Sequence, residues 1–469
     1  MPLSYRIAGR SPHMDFSYLP ACFALGGAAF AAADRSGERS LRRAERAGWA
    51  SLAAAAGLIA QLWAAPGPAD GLAASLTLLT SFVGAVVLSF STRYMRADPR
   101  RRAYATRVSL LLASVLVLVH AGNALVFLPV WVASGQLLAG LIGHAGTPAA
   151  AAAAQQARRA FVIGDAALLA ALALLGAHTG SPDIAAMING AASLPAALQG
   201  LAAGLLLLAA MARSALPPFS AWLMRSMTAP TPVSALMHAG LVNAGGFLLI
   251  RFAAVLAAAP AVQALAIGAG LFAAFWGGFL QLVRPEIKQS LAGSTIAQMG
   301  FMILTCGLGG DAAALWHLFA HGLFKAWLFL GSGAAIGPVL RPARPQGAAI
   351  TAIAALLALA AIAWLDAHGL VTGAALLPTA LAIATGVGAT LSAGTKRMFL
   401  LLPVLSGLYL AGLGATEALL AAPPTASPGG DGLVFALAAL FLAGGVAQAL
   451  LRQGGTGLPR PLHVRLLNA

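Results

Sequence analysis

Charge is the first thing this sequence lacks. Only 9% of its 469 residues are Asp, Glu, Lys or Arg, where a soluble domain carries about a quarter. With 60% hydrophobic residues as well, the chain cannot clothe an apolar core in a water-facing surface, and a soluble globular fold is excluded. Acidic residues are scarcest, 13 against 28 basic ones, giving a net charge of +15. The basic residues lie in short segments between apolar runs, which suits the positive-inside rule of membrane proteins and excludes nucleic acid as the partner. Cysteine is almost absent. Cys22 and Cys306 both lie in apolar runs, form no disulfide framework or CxxC motif, and read as core fillers. Apolar and polar residues do not alternate along the runs, which excludes a β-barrel. The chain also lacks a catalytic triad, a phosphate loop, a haem motif and a carbonic-anhydrase zinc set, so catalysis by this chain alone is not expected.

What is present is a series of about fifteen apolar runs, centred near residues 25, 56, 81, 114, 133, 169, 205, 245, 271, 299, 324, 357, 381, 408 and 442. Each approaches the 20 or so residues that a membrane-spanning helix needs. Nearly all are rich in Ala, Leu and Gly, as in helices that pack closely through small residues. The predicted fold is an all-α integral membrane bundle, one transmembrane domain over 1–469 with discontinuous helices. The first span is expected to be retained, because no small-residue cleavage site follows it. Basic segments alternate with segments free of Lys and Arg. Residues 34–48 hold five arginines and residues 92–107 six; Arg158 and Arg159, Arg284 and Lys288, Arg341 and Arg344, Lys396 and Arg397, and Arg452, Arg460 and Arg465 follow. The loops between them ("PGPAD", "HTGSPDIAAMINGAASLP", "GLGGD", "DAHG", "APPTASPGGDG") carry none. Fifteen spans then put the N-terminus outside and the C-terminus in the cytoplasm, with Arg6 and Arg10 as exceptions on the outer tail. The alanine-rich stretch 148–159 reads as a cytoplasmic helix or loop.

Ionisable side chains at mid-bilayer depth need partners, water or a function, since each costs about 2.5–3.5 kcal/mol on insertion scales. The sharpest group is "WHLFAHGLFKAWLF" (316–329), where His317, His321 and Lys325 follow i, i+4, i+8 spacing and share one helix face. Neighbours on that face are about 6 Å apart along the axis, a gap one water can bridge. Histidine titrates near neutrality, and lysine, unlike arginine, can release its proton. Lys325 is one of only three lysines beside 25 arginines. A proton relay is the functional reading; polar groups satisfied by neighbouring helices, or a zinc site using the H-x3-H pair, are the alternatives. Elsewhere Asp165 is expected to pair with Arg213, His120 to be structural, and Arg251 to snorkel from its helix end.

The segment 212–252 is the other unusual one. Pro217 and Pro218 remove backbone donors and should interrupt the seventh span, while Pro230 and Pro232 suit the start of a new helix. Broken backbone at membrane depth is tolerated where it is buried in protein or lines a wet cavity. His238 sits one turn from Ser234 and near Asn243, as a second relay candidate or a satisfied core histidine.

"ARSALPPFSAWLMRSMTAPTPVSALMHA", "IKQSLAGSTIAQMGFM" (287–302) and "WHLFAHGLFKAWLFLGSG" (316–333) resemble the proton-translocating membrane subunits of respiratory complex I and Mrp-type antiporters. The likeness covers roughly residues 75–335, an antiporter-like core, with divergent C-terminal helices over 345–469. It implies a channel cation at Arg213, a histidine relay through His238, His317 and His321, and a central cation at Lys325. The sequence departs from the family where Val132 follows Trp131 in place of a glutamate, where Arg213 replaces a lysine, and where Val162 stands before Asp165 in place of an arginine. "MHAGLVNAGGFLLIRF" (237–252) and "PLHVRLLNA" look like the membrane subunit of Dab-type inorganic-carbon accumulation complexes. That narrower resemblance implies a bacterial inner-membrane location and a large soluble cytoplasmic partner with a zinc, carbonic-anhydrase-like site. Cation flow, of protons or sodium, would energise CO2 hydration there, and this chain itself would hold no cofactor. A proton-pumping subunit of a complex I-like or membrane hydrogenase complex is the alternative, and a passive membrane anchor is a third reading.

Overall fold

Apolar runs of this length satisfy their backbone groups internally only as helices, and helices are what the chain forms. The computed structural model describes residues 16–34, 36–64, 70–334, 347–393, 396–420 and 428–453. Arg6, Arg10, Arg35, Arg341, Arg344, Arg460, Arg465 and the motif "PLHVRLLNA" lie outside the described residues. The helices are α1 (Leu19–Ala33), α2 (Gly37–Ala64), α3 (Gly71–Tyr94), α4 (Arg101–His120), α5 (Ala124–Ile142), α6 (Pro148–Thr179), α7 (Ile184–Gly190), α8 (Ala196–Arg213), α9 (Ser220–Arg225), α10 (Thr231–Ala239), α11 (Ala244–Arg251), α12 (Ala253–Ala257), α13 (Pro260–Val283), α14 (Ile287–Gly307), α15 (Asp311–Ala334), α16 (Ala348–Ala367), α17 (Leu376–Ala393), α18 (Lys396–Leu420) and α19 (Gly430–Gln453). Among the described residues there is no strand, only an isolated bridge between Asn123 and Asp183.

Every one of the fifteen expected centres falls inside a helix. Among the described residues, thirteen helical stretches are long and apolar enough to cross a membrane, and the chain is a multi-pass membrane protein. The two expected spans that miss this standard are α1, which is 15 residues long, and α2, whose first half is charged. The stretch 148–159, read as a helix or loop, is helical, and so is the basic segment at Lys288. Arg158 and Arg159 belong to α6, which starts at Pro148 because Thr147 caps it, accepting from the backbone N–H of Ala150 at 3.2 Å. Lys288 lies in the first turn of α14. Alanine-rich sequence propagates a helix past the membrane boundary, so the switch from apolar to basic residues does not mark its end.

Two large apolar cores, with a small third one between α16 and α19, organise the described bundle. The larger runs from α1 through α15; the second joins the end of α14 to α16, α17 and α19. Glycine lets α13 and α14 approach closely: a Cβ on Gly277 would meet the Gly293 carbonyl at 2.6 Å, and one on Gly300 the Gly270 carbonyl at 2.6 Å. Cys306 is buried in the large core, but Cys22 is exposed, because it falls on the outward face of α1.

The interruption at 213–231 takes the form that its prolines predict. Helix α8 ends at Arg213, α9 is a short piece, and α10 begins with Pro230 as N-cap and Pro232 in its first turn. A second break, not anticipated, follows at Gly240, between α10 and α11. Side chains at the two breaks satisfy the backbone groups there. The Ser214 hydroxyl donates to the Val242 carbonyl at 2.6 Å, the Trp222 indole to the Ala212 carbonyl at 3.0 Å, and the Asn243 amide to the Ala239 carbonyl at 2.8 Å. Carbonyls freed by the loss of helix are thus paired in a region without bulk water.

Candidate functional site

Helix α15 has two unlike faces. Leu323, Phe324 and Trp327 are exposed, and on the opposite side His321 and Lys325 are 5% and 3% exposed. The apolar face suits lipid, and the polar row is turned into protein. Rings of His317 and His321 stand 5.9 Å apart and nearly parallel. The Lys325 ammonium donates to the Leu291 carbonyl of α14 at 3.0 Å and also contacts the Ser294 hydroxyl. His238 of α10 packs between these helices. Its ring stacks on Phe329 of α15 at 4.2 Å between centroids, and its Nδ1 lies 3.0 Å from the Thr295 hydroxyl of α14.

Thr295 orients that imidazole. Its single hydroxyl proton is directed to the Leu291 carbonyl, 3.0 Å away. The oxygen then accepts from His238, which places the ring proton on Nδ1 and leaves Nε2 as a bare acceptor. In all three imidazoles Nε2 is buried without a hydrogen-bond partner. Three buried imidazole nitrogens, one of the rings anchored on Thr295, lie beside an ammonium that has backbone and hydroxyl acceptors. That is a set of groups able to take up and pass on protons.

Arg213 and Asp165 form a second cluster. The guanidinium, 2% exposed, donates to Asp165 Oδ1 at 3.2 Å and to the Trp131 carbonyl at 2.9 Å. It also lies 4.4 Å from the Trp131 ring and 4.8 Å from the Phe161 ring. This cation is held by one charge, one carbonyl and two aromatic faces, the pairing that a planar guanidinium makes better than an ammonium. Between the clusters lies a cavity of about 40 Å³, touched by Arg213, Ser134, Asn243 and Leu318. It exceeds the 10–15 Å³ or so that one water requires, and the Asn243 Oδ1 beside it has no hydrogen-bond partner. On the far side of the row, half-buried His317 opens into a cavity of about 930 Å³ walled by α13–α19.

The structure therefore brings His317, His321, Lys325 and His238 together and keeps Arg213 with Asp165 apart from them. Pro217, Pro218, Pro230 and Pro232 flank the break that separates the two. Among the described residues, no third His, Cys, Asp or Glu joins the H-x3-H pair. The Arg251 guanidinium pairs with Asp70, at the start of α3, and donates to the Val119 carbonyl, in the last turn of α4, at 2.7 Å. His120 Nε2 meets the Thr77 hydroxyl at 2.8 Å. Ser294 and Thr295 are the hydrogen-bond partners of the row that the sequence reading missed. The signal was there: adjacent hydroxyls in an otherwise apolar helix, "SLAGST".

Comparison with known proteins follows the same lines. The profile of the family described as "NADH:quinone oxidoreductase/Mrp antiporter, TM" matches residues 121–358, half of the chain. The chain is 39% identical over 276 residues to the "Probable inorganic carbon transporter subunit DabB1" of Halothiobacillus neapolitanus, covering 57% of this chain and 49% of that protein. It is also 39% identical over 273 residues to NADH-quinone oxidoreductase subunit L of Mycobacterium tuberculosis, covering 57% of this chain and 43% of that one. It thus spans about half the length of these curated relatives. Among solved structures, the Mrp complex from Dietzia sp. DQ12-45-1b aligns with a TM-score of 0.68 and 26% identity, over 93% of this chain and 56% of that chain.

Proposed function

The chain belongs to the NADH:quinone oxidoreductase/Mrp antiporter membrane family, and from that premise we propose that this antiporter-like subunit conducts a cation, the proton, to energise inorganic-carbon uptake by a soluble partner. The observation that carries the reading is the buried polar row, Lys325 bonded to Ser294 and Leu291 of α14 and His238 bonded to Thr295 of the same helix turn. Buried titratable groups with open nitrogens beside broken helices suit proton movement better than they suit an inert anchor. One charge moved across 100 mV supplies about 2.3 kcal/mol, enough to bias a conformational step in a partner.

The relatives named as inorganic-carbon transporter subunits support the choice of cargo. In this reading the partner is a large zinc-containing, carbonic-anhydrase-like protein on the cytoplasmic side, the zinc belongs to that partner, and the chain sits in the bacterial inner membrane with its N-terminus outside and C-terminus inside. Copurification from native membranes tests the assignment. A soluble zinc protein that hydrates CO2 supports it. Quinone-binding or electron-transfer subunits in its place would select the second reading, a subunit of a redox-driven proton pump, which rests on the equal identity to subunit L.

A further inference from the structure

Helices α2 and α3 pack side by side, and at their basic ends they enclose, with the start of α4, a cleft of about 460 Å³. Arg42 and Arg46 of α2, Arg93 at the end of α3, Arg96 just beyond it and Arg101 of α4 line it. Only two carboxylates, Glu38 and Glu45, share the walls. Glu38 is already paired with Arg42 at 2.7 Å, and Arg101 donates to the Arg96 carbonyl. Among the described residues, no ion pair engages Arg46, Arg93 or Arg96. The cleft is concave and its positive charge is not neutralised from within.

Its depth is marked by Trp49. That indole lies one turn along α2 from Arg46 and donates at 2.9 Å to the hydroxyl of Ser89, one turn before Arg93 on α3. It is 47% exposed. Tryptophans so placed sit at the headgroup level of a bilayer, which puts the arginine cleft one turn further out, among the lipid phosphates. Guanidinium groups bind phosphate through paired, charge-assisted hydrogen bonds, and basic pockets between membrane helices take anionic headgroups.

We propose that this cleft is a binding site for the headgroup phosphate of an anionic phospholipid, held by Arg46, Arg93 and Arg96. The adjoining indole favours a lipid over free phosphate or an acidic protein segment, neither of which brings acyl chains to lie against α2 and α3. Occupancy would tie α2, α3 and α4 together, and α3 packs against α10 and α15, which carry the polar row.

Native mass spectrometry of the full chain, titrated with phosphatidylglycerol or phosphatidylcholine, tests this. Wild type should retain phosphatidylglycerol and not phosphatidylcholine. Arg46→Gln/Arg93→Gln/Arg96→Gln should weaken retention by about a hundredfold, taking on the order of 1 kcal/mol per arginine. Glu45→Gln, which removes a repelling carboxylate, should tighten it by about two- to fivefold. The Glu45→Gln arm decides the matter if the triple variant does not fold. Equal retention by wild type and both variants overturns the proposal. So does displacement of the lipid by sodium phosphate at matched concentration, which would make this a free-anion site. Loss of a copurifying protein from the triple variant with lipid retention unchanged would make it a protein-docking site.

Discussion

Lys325 and the Thr295 hydroxyl that holds His238 meet on one backbone carbonyl. The ammonium of Lys325 donates to the Leu291 oxygen at 3.0 Å, and the Thr295 hydroxyl that bonds His238 Nδ1 points its proton at the same oxygen, also at 3.0 Å. Two titratable groups from different helices thus share a turn of α14. A change in the protonation of either alters the acceptor that the other depends on, the kind of linkage in which a hydrogen-bonded network is worth more than its separate pairs.

Lys325→Ala and Lys325→Arg should both lower proton flux into proteoliposomes, by on the order of tenfold or more, comparable to the loss of a general acid–base group. Arginine keeps the charge and does not release its proton, so the arginine variant separates proton transfer from charge placement. An internal pH-sensitive dye provides the measurement, and wild-type flux through Lys325→Ala would sink the conduction reading.

Thr295→Val removes the hydrogen-bond partner of a fully buried imidazole while keeping the side-chain shape. The expected cost is about 1–3 kcal/mol in denaturant unfolding, the penalty of an unsatisfied buried donor. Nitrogen NMR of labelled histidine should also show His238 losing its preference for the Nδ1–H tautomer, a change that a generic packing defect would not produce.

Asp165→Asn leaves the Arg213 guanidinium buried without its counter-charge and should destabilise the fold by about 3–5 kcal/mol. The double variant Asp165→Asn/Arg213→Met should recover most of that loss, since no charge is then left stranded. Thermal unfolding of the two variants in detergent checks the order; a double variant less stable than Asp165→Asn would contradict it.

Gly322 lies between His321 and Lys325 against the backbone of α10, where a Cβ would meet the Ala239 carbonyl at 2.6 Å. Gly322→Ala should therefore push α15 off α10 and cost about 1–3 kcal/mol, as overpacking does. The same displacement moves Lys325 relative to Ser294, so flux should fall together with the unfolding temperature. A variant with unchanged stability and flux would show that the helices are not held at this distance.

Much of this was legible in local spacing. The i, i+4, i+8 pattern put His317, His321 and Lys325 on one side of α15, and the prolines marked where α8 stops and α10 starts. What spacing could not supply was the partner side. Thr295 is 57 residues from His238, and Ser294 is 31 from Lys325, and nothing local links either pair. The break at Gly240 was hidden for a related reason: no proline marks it, and the sequence there is as apolar as its surroundings. Nor does the position of Arg251 at a helix end reveal that Asp70, at the start of α3, lies beside it.

The break at Gly240 has a mechanical meaning. His238 and Arg251 belong to one apolar run, yet they do not ride on a single rigid rod. Arg251 is moored to α3 and α4 at one side of the membrane, while the imidazole answers to α14 and α15. The joint thus lets the imidazole and the guanidinium be positioned by different neighbours.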